Sequence, residues 1–240
     1  MKTTDRVLIP GCPHHLMRRS LKKRPIFRND MDYAYFIDLI RDLGHHYEIQ
    51  IHAWCLLPDC FHLLVTPGHK VNDLSTFMKA LTCRLSLRHK RMCNQPVHWE
   101  PRYRSSPVEP GQWLMACMRY IEHLPVARSL VRRAFDYPQS SYRMRLGKSP
   151  EYWLDDPEEY LRLGKNLEER SDAYRAYMGI GIDAKEAIMI ASTLTHGSLT
   201  GSWRFVEKIY DEFGVLAINR GRGRPPKYRP ALPFPINPYG

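Results

Sequence analysis

Two side chains of metal-binding type lie two residues apart in the apolar segment 56–64. They are Cys60 and His62, and a tyrosine, Tyr120, follows downstream in a segment with helical spacing. On a β-strand, alternate side chains share one face, so Cys60 and His62 point the same way while Phe61 faces the core. Such a pair can hold a cation against a phosphate group, and a tyrosine hydroxyl can then attack the phosphorus.

The elements that position these residues follow from the spacing of apolar side chains. Alternating or apolar segments predict strands at 14–17, 49–56 and 60–66, with another short strand within 94–108. Helical spacing predicts helices at 30–43, 73–92 and 111–124; we expect the first to begin at the Asn29-Asp30 cap and end at Gly44, and the third to stop at Pro125. Pro58-Asp59 predicts a hairpin turn.

This order of elements predicts an α/β (α+β) fold. Specifically, it favours a ferredoxin-like sandwich with an antiparallel-rich sheet and helices on one face. We expect this domain to span residues 1–148. Helical patterns at 157–163, 167–178, 184–195 and 202–213 predict a small all-helical appendage over 149–218. The segment 219–240 is rich in proline and arginine and predicts a disordered basic tail.

The overall charge points to a polyanionic partner. The chain has 240 residues and a formal net charge of +11, which suits nucleic acid better than a neutral ligand. No apolar segment follows the first charged residues, so we expect no signal peptide. No segment approaches the roughly 20 apolar residues that span a bilayer. The six cysteines lack any C-x-x-C pairing, which favours reduced thiols and a cytoplasmic location.

Several basic and aromatic side chains are candidates for nucleic-acid binding. They lie near the first strand, at the end of the second long helix, in the loop before the fourth strand and in the tail: Arg18, Arg19, Lys22, Lys23, Arg24; Arg84, Arg88, Arg91; Arg102, Tyr103, Arg104; and Arg222, Arg224. Arginines that alternate with an aromatic residue suit base stacking and phosphate contact. The alternative is an ordinary solvated surface. The tail sequence Arg222-Gly223-Arg224-Pro225 resembles an AT-hook that enters the minor groove of A/T-rich duplex DNA.

His14 and His15 lie at the start of the first predicted strand. They are either structural histidines or lie near the sheet face that meets DNA.

Several separate motifs occur in the order seen in REP-associated tyrosine transposases. They are IPGCPHHL from Ile9, PIF from Pro25, LPDCFHLL from Leu57, HWEPRYRSS from His98, MRYIE from Met118 and DYPQSSY from Asp136. Over residues 7–146 the chain resembles this family, which belongs to the single-tyrosine branch of the His-hydrophobic-His transposases. The ending rich in arginine, glycine and proline is also similar.

The resemblance implies a specific chemistry. In this family a divalent metal, magnesium or manganese, is held by a histidine pair and a polar side chain on the tyrosine helix. The tyrosine, Tyr120 here, attacks the phosphate and leaves a 5′-phosphotyrosine that stores energy for rejoining during DNA transposition and recombination. The substrates are single-stranded DNAs with imperfect hairpins.

This sequence departs from the family pattern at the metal ligands. The family's first histidine is Cys60 here, the preceding asparagine is Asp59, and the ligand position four residues after the tyrosine is Leu124. Thiolate is a soft ligand and favours zinc over magnesium or manganese. His62 is then the remaining ligand of the family set, with Asp59 or His123 as substitutes. Smaller departures are Pro101 in place of glycine and Gln139 in place of tryptophan.

Two hypotheses follow from different classes of function. The first is an enzyme in which Tyr120 is the nucleophile and His62, with Cys60 or a substitute, holds the metal. The second is a catalytically degenerate protein that binds hairpin DNA without cleaving it, which the altered ligands favour. An RNA-binding protein that uses the same sheet is a further alternative.

Overall fold

The centre of the molecule is an antiparallel sheet. In the computed structural model, which describes residues 7–214, a four-stranded sheet has the order β2-β3-β1-β4. The strands are β1 (His14–Arg19), β2 (Ile49–Leu57), β3 (Cys60–Pro67) and β4 (Arg104–Pro107). Every neighbouring pair in this sheet is antiparallel.

Eight α-helices accompany the sheet within the described residues. They are α1 (Asp30–His46), α2 (Asp73–Cys93), α3 (Gln112–Ala127), α4 (Tyr142–Arg145), α5 (Glu158–Leu161), α6 (Leu167–Gly179), α7 (Ala184–His196) and α8 (Trp203–Phe213). None of the helices in this part of the chain is both long and apolar enough to cross a membrane.

The predicted fold class is confirmed. The chain runs β1-α1-β2-β3-α2-β4, and β3 lies between β1 and β2, which is the ferredoxin-like arrangement. β2 and β3 form a hairpin through Pro58-Asp59, with Leu57 paired to Cys60. Asn29 caps α1 by accepting a hydrogen bond from the Asp32 amide, 3.0 Å long.

The prediction that helices lie on one face needs a correction, because helices cover both faces. α1 and α2 pack on the face that carries Leu16, Phe61 and Leu63, which we call the apolar face. α3 packs on the opposite face, against Met17 and Leu64. The physical reason is that every residue from Cys60 to Val65 is buried. A strand buried on both sides needs cover on both sides.

Two predicted helix ends are also wrong. α1 continues past Gly44, where a Cβ would lie 3.2 Å from Cγ1 of Ile51; the glycine therefore allows close packing on β2 rather than ending the helix. α3 continues past Pro125 to Ala127. Proline near the last turn removes a single helical hydrogen bond, which the helix tolerates there. The extra turn places Arg128 at the C-terminus of α3, where its amide donates to the Leu124 carbonyl.

The helices after residue 148 form where the pattern predicts them; α5, α6 and α7 pack in the core cluster that contains α3, whereas Phe205 and Ile209 of α8 pack with Ile9 and Cys12. Tyr160 of α5, Tyr174 of α6 and Ile190 of α7 are fully buried in the core cluster that contains α3. A buried ion network joins these parts: Arg145 lies 3.7 Å from Glu122 and 2.9 Å from Asp156. The Tyr174 hydroxyl donates to Glu122 over 2.8 Å. The domain boundary at 148 stays a prediction, and the predicted tail 219–240 lies outside the described residues.

Candidate functional site

His15 and His62 form a contact on neighbouring strands beneath α3. Nε2 of His15 lies 3.0 Å from Nδ1 of His62, and the ring centroids are 5.2 Å apart. Burial lowers the pKa of His15 to about 3 and lowers the pKa of His62 well below its usual value. Both rings are therefore neutral at physiological pH, so one donates to the other. Nδ1 of His15 is buried and has no hydrogen-bond partner.

Strand alternation groups these histidines with other polar residues. In register, Met17 lies between His62 of β3 and Arg104 of β4, and Arg19 lies opposite Cys60. We call this surface the Tyr120 face: His15, Met17, Arg19, Cys60, His62 and Arg104 on the strands, with Tyr120 above them on α3.

Tyr120 lies at the edge of the histidine pair. Its ring makes an edge contact with His15, with centroids 5.9 Å apart. The side chain is partly buried, and burial raises the pKa of the hydroxyl while Arg128 and Arg19 oppose that rise. The predicted nucleophile and the predicted histidine ligand therefore lie on the same face.

The Arg128 guanidinium binds both Cys60 and Asp59. Nη2 of Arg128 donates to Sγ of Cys60 over 3.3 Å, and Nη1 donates to Oδ1 of Asp59. Arg19 also pairs with Asp59, with Nε 3.7 Å from Oδ2. Cys60 is fully buried, and burial raises the pKa of its thiol to about 11. The thiol is therefore protonated at neutral pH, and the Asp59 carboxylate already has two cationic partners.

The remaining predicted ligands do not complete a metal site. His123 is partly buried, and burial lowers the pKa of its ring. Leu124 packs in the core with 8% of its surface exposed. Across residues 7–214, no group of three or more His, Cys, Asp or Glu side chains is close enough to hold a metal ion. The described residues therefore do not fit the ligand set that the resemblance implies, and a magnesium or manganese cofactor stays a prediction.

Three arginines surround the histidine pair, of which Arg128 was missed from the sequence. The side chains of Arg19, Arg104 and Arg128 are 22%, 32% and 30% exposed, and all three lower the pKa of His62 through their charge. Arg104 donates to Oγ1 of Thr195 over 3.1 Å. A basic residue at the C-terminal end of a helix is a common capping signal, and Arg128 occupies such a position. The signal was missed because the predicted helix stopped at Pro125.

His15 was left open between a structural role and a place near the DNA-binding face, and the structure places it on the Tyr120 face. His14 is structural: its Nδ1 donates to the Cys12 carbonyl over 2.7 Å, and its Nε2 accepts from the Ile9 amide over 3.2 Å.

Other candidate residues lie away from this face. Arg84, Arg88 and Arg91 are on α2, which packs on the apolar face. Arg88 is 3.2 Å from Asp32 and stacks over the Tyr35 ring at 4.6 Å. It therefore helps to join α2 to α1.

Among the candidates next to β1 and β4, some contact other side chains and others are exposed. Arg18 lies over the Trp99 ring, 5.6 Å from its centroid, and the Tyr103 hydroxyl is 3.0 Å from Oγ of Ser75. The exposed candidates among the described residues are Lys22, Lys23, Arg24, Arg84, Arg91 and Arg102. Arg222 and Arg224 fall outside the described residues.

Comparisons with known proteins relate this chain to transposases. A family model described as IS200-like transposase matches residues 9–124. The structure of a REP-associated tyrosine transposase bound to a REP hairpin is 19% identical with a TM-score of 0.53, over 65% of this chain and 93% of that chain; this likeness shows the fold. A putative transposase from Deinococcus radiodurans R1 is 20% identical with a TM-score of 0.35, over 54% of this chain and 94% of that chain. No curated protein matches the chain.

The matched segment begins before β1 and ends within α3, so it contains Cys60, His62 and Tyr120. Residues 9–124 of this chain are therefore similar to IS200-like transposases.

Proposed function

We propose that this protein binds single-stranded or hairpin DNA on the Tyr120 face and that it does not carry out metal-assisted cleavage of this DNA. The observation that carries the proposal is the Arg128 guanidinium, which binds both Asp59 and Cys60. DNA binding itself is supported by the family, by the net charge of +11 and by a similar fold that was determined with a REP hairpin.

A guanidinium in this position disfavours a metal ion electrostatically. Two unit positive charges 4 Å apart repel by about 4 kcal/mol at an effective dielectric constant of 20, and a divalent ion doubles the repulsion. The neutral Cys60 thiol must also lose its proton before it can ligate. Nδ1 of His62 already contacts Nε2 of His15, and the described residues provide no group of three His, Cys, Asp or Glu side chains that could hold a hard cation.

The same arginines suit a polyanion. Arg19, Arg104 and Arg128 are all partly exposed around the histidine pair. Arginine binds phosphate through paired N–H donors, and the partly exposed Tyr120 ring offers a surface for base contact.

Strand cleavage by Tyr120 is a second candidate function. It is favoured by the partial exposure of Tyr120 and by the charges of Arg128 and Arg19, which act to lower the pKa of its hydroxyl. In this reaction the phenolic oxygen forms a bond to phosphorus, the bond to the 3′ oxygen breaks, and a 5′-phosphotyrosine remains.

A search for a covalent adduct separates these candidates. The protein is incubated with labelled single-stranded hairpin DNA and magnesium or manganese, then denatured. We expect a retarded complex before denaturation and no adduct after it. A Tyr120-dependent adduct, lost in Tyr120→Phe, would show that the cleavage candidate is correct. The variant Cys60→His with Leu124→Asn restores the family's ligands, and we expect it to nick DNA more than the unmodified chain.

Two finer proposals concern the rest of the chain. We propose that the tail, through Arg222 and Arg224, adds binding to A/T-rich duplex DNA. All six cysteines are free thiols, which supports a reducing compartment, and we propose the cytoplasm.

A further inference from the structure

We propose that Arg128 and Arg19 bind a phosphodiester group of the DNA backbone in the place where the family pattern predicts a metal ion. This inference rests on the proposed DNA binding and names the group that the site recognises. In this proposal the two arginine side chains provide the positive charge that a metal ion would otherwise provide.

Asp59 holds the two guanidinium groups next to each other. Arg128 donates to one carboxylate oxygen, and Arg19 lies 3.7 Å from the other. Cys60 gives Arg128 a second contact over 3.3 Å. Each guanidinium has five N–H donors in a planar fork, so these contacts fix the position of Arg128 and leave donors for a ligand.

The charges in this cluster do not balance. Asp59 is the only acidic residue that pairs with either arginine among residues 7–214. Two guanidinium groups and one carboxylate leave a net positive charge of one, and Nε of Arg19 makes no hydrogen bond. The second arginine therefore leaves a positive charge that an anionic ligand can balance.

The exposed fractions of these three side chains suit a site that binds an anion. The Asp59 side chain is 10% exposed, while those of Arg19 and Arg128 are 22% and 30% exposed. The carboxylate side chain is therefore less accessible to an approaching anion than the two arginine side chains are.

A second observation also indicates a ligand. His15 is completely buried, and its Nδ1 has no hydrogen-bond partner. A buried ring nitrogen without a partner carries a free-energy cost that a bound polar group can relieve. It lies on the same face, beside His62 and Tyr120 and four residues before Arg19 on β1, so this face also contains an unpaired polar group that a bound ligand can reach.

Backbone phosphate is the anion that fits best. A phosphodiester has two free oxygens that match the paired donors of arginine. Because the charge comes from arginine, binding at this point needs no metal ion.

Affinity for a labelled single-stranded hairpin DNA, measured in EDTA over a series of salt concentrations, tests the inference. We expect Arg128→Gln and Arg19→Gln each to weaken binding about tenfold, the typical value of a hydrogen bond to a charged group. Each should also reduce the log–log salt slope by about 0.7. The matched control is Arg162→Gln, which changes a 74% exposed arginine at the C-terminal cap of α5; this variant should bind as the unmodified protein does.

Asp59→Asn gives a test with the opposite sign. Asparagine keeps a side-chain oxygen that accepts from Arg128 while removing the carboxylate charge; the surplus positive charge therefore increases, and we expect tighter binding in EDTA. Weaker binding by Asp59→Asn would overturn the inference, and this variant with Arg19→Gln decides the matter if Arg128→Gln fails to fold in a thermal melt.

The possible failures are distinguishable. If the unmodified protein does not bind the hairpin, the proposed function is wrong and the inference falls with it. If it binds, but both arginine variants behave as Arg162→Gln does, the phosphate site is wrong while DNA binding stands.

Discussion

On the apolar face of the sheet, β1 and β3 present Leu16, Phe61, Leu63 and Val65 to α1 and α2. On the Tyr120 face, alternate positions of the same strands present His15, Arg19, Cys60 and His62. The strand side chains in contact with α1 and α2 are apolar, whereas the Tyr120 face contains buried polar groups and partly exposed arginines. The two faces are separated by a single residue step along each strand.

In β1 and β3, the residues that stabilise the fold and the residues of the candidate site lie on opposite faces of the sheet. Burial of apolar side chains is favourable, whereas burial of polar groups is costly unless they are paired. Much of the stabilisation from the strands should therefore come from the apolar face. The Tyr120 face keeps groups such as the unpartnered Nδ1 of His15, which are more easily explained by function than by stability.

Phe61→Ala should have the largest effect on stability. Phe61 is fully buried, and its ring lies 4.8 Å from that of Phe36 and 6.1 Å from that of Trp99. We expect the free energy of unfolding to fall by about 3–5 kcal/mol, the typical cost of such a cavity. Urea denaturation at pH 7 measures the change.

Its matched control is the neighbouring residue on the other face, Cys60→Ala. This variant removes one buried atom, so the loss of stability should be clearly smaller. Equal losses in the two variants would contradict the division between the faces.

The second prediction concerns the effect of acid on the Tyr120 face. The pKa of His15 is lowered to about 3 by burial, whereas an unfolded histidine has a pKa near 6.5. The unfolded chain therefore binds more protons below pH 6.5, so stability falls as the pH decreases from 6.5 towards 3. The contribution of His15 is about 1.4 kcal/mol for each pH unit.

A comparison of variants isolates this contribution from those of other groups. His15→Leu should lose less stability between pH 7 and about pH 4.5 than the unmodified protein, while Phe61→Ala should keep the full pH dependence. Identical pH dependence in all three proteins, measured by urea denaturation, would show that His15 is not a buried neutral histidine.

Much of the fold was predictable because local signals agreed with the global arrangement. The Asn29 cap, the Pro58-Asp59 hairpin and the apolar segments specified the start of α1 and, to within one residue, both ends of β2 and β3. The presence of helices on both faces was not predicted. A strand that is buried on both sides does not alternate between polar and apolar residues, so its sequence does not show which faces are packed against helices.

The candidate site was predictable only in part. Alternation placed Cys60 and His62 on one face, and the family resemblance identified Tyr120. The contact of His15 with His62 depends on the register between β1 and β3, which the sequence does not specify. Arg128 reaches Asp59 because α3 passes Pro125, and the usual effect of proline on helices predicted the opposite.

The central claim is that arginine side chains, rather than a metal ion, provide the positive charge on the Tyr120 face. It predicts the smallest effect, because removing the metal ion should leave the affinity for DNA unchanged. The direct measurement is the affinity of the unmodified protein for a single-stranded hairpin DNA, in EDTA and in magnesium, at matched ionic strength. We predict the same affinity in both conditions and a loss in both when Arg128 is changed to Gln. Tight binding that requires magnesium and disappears in His62→Ala would contradict the account.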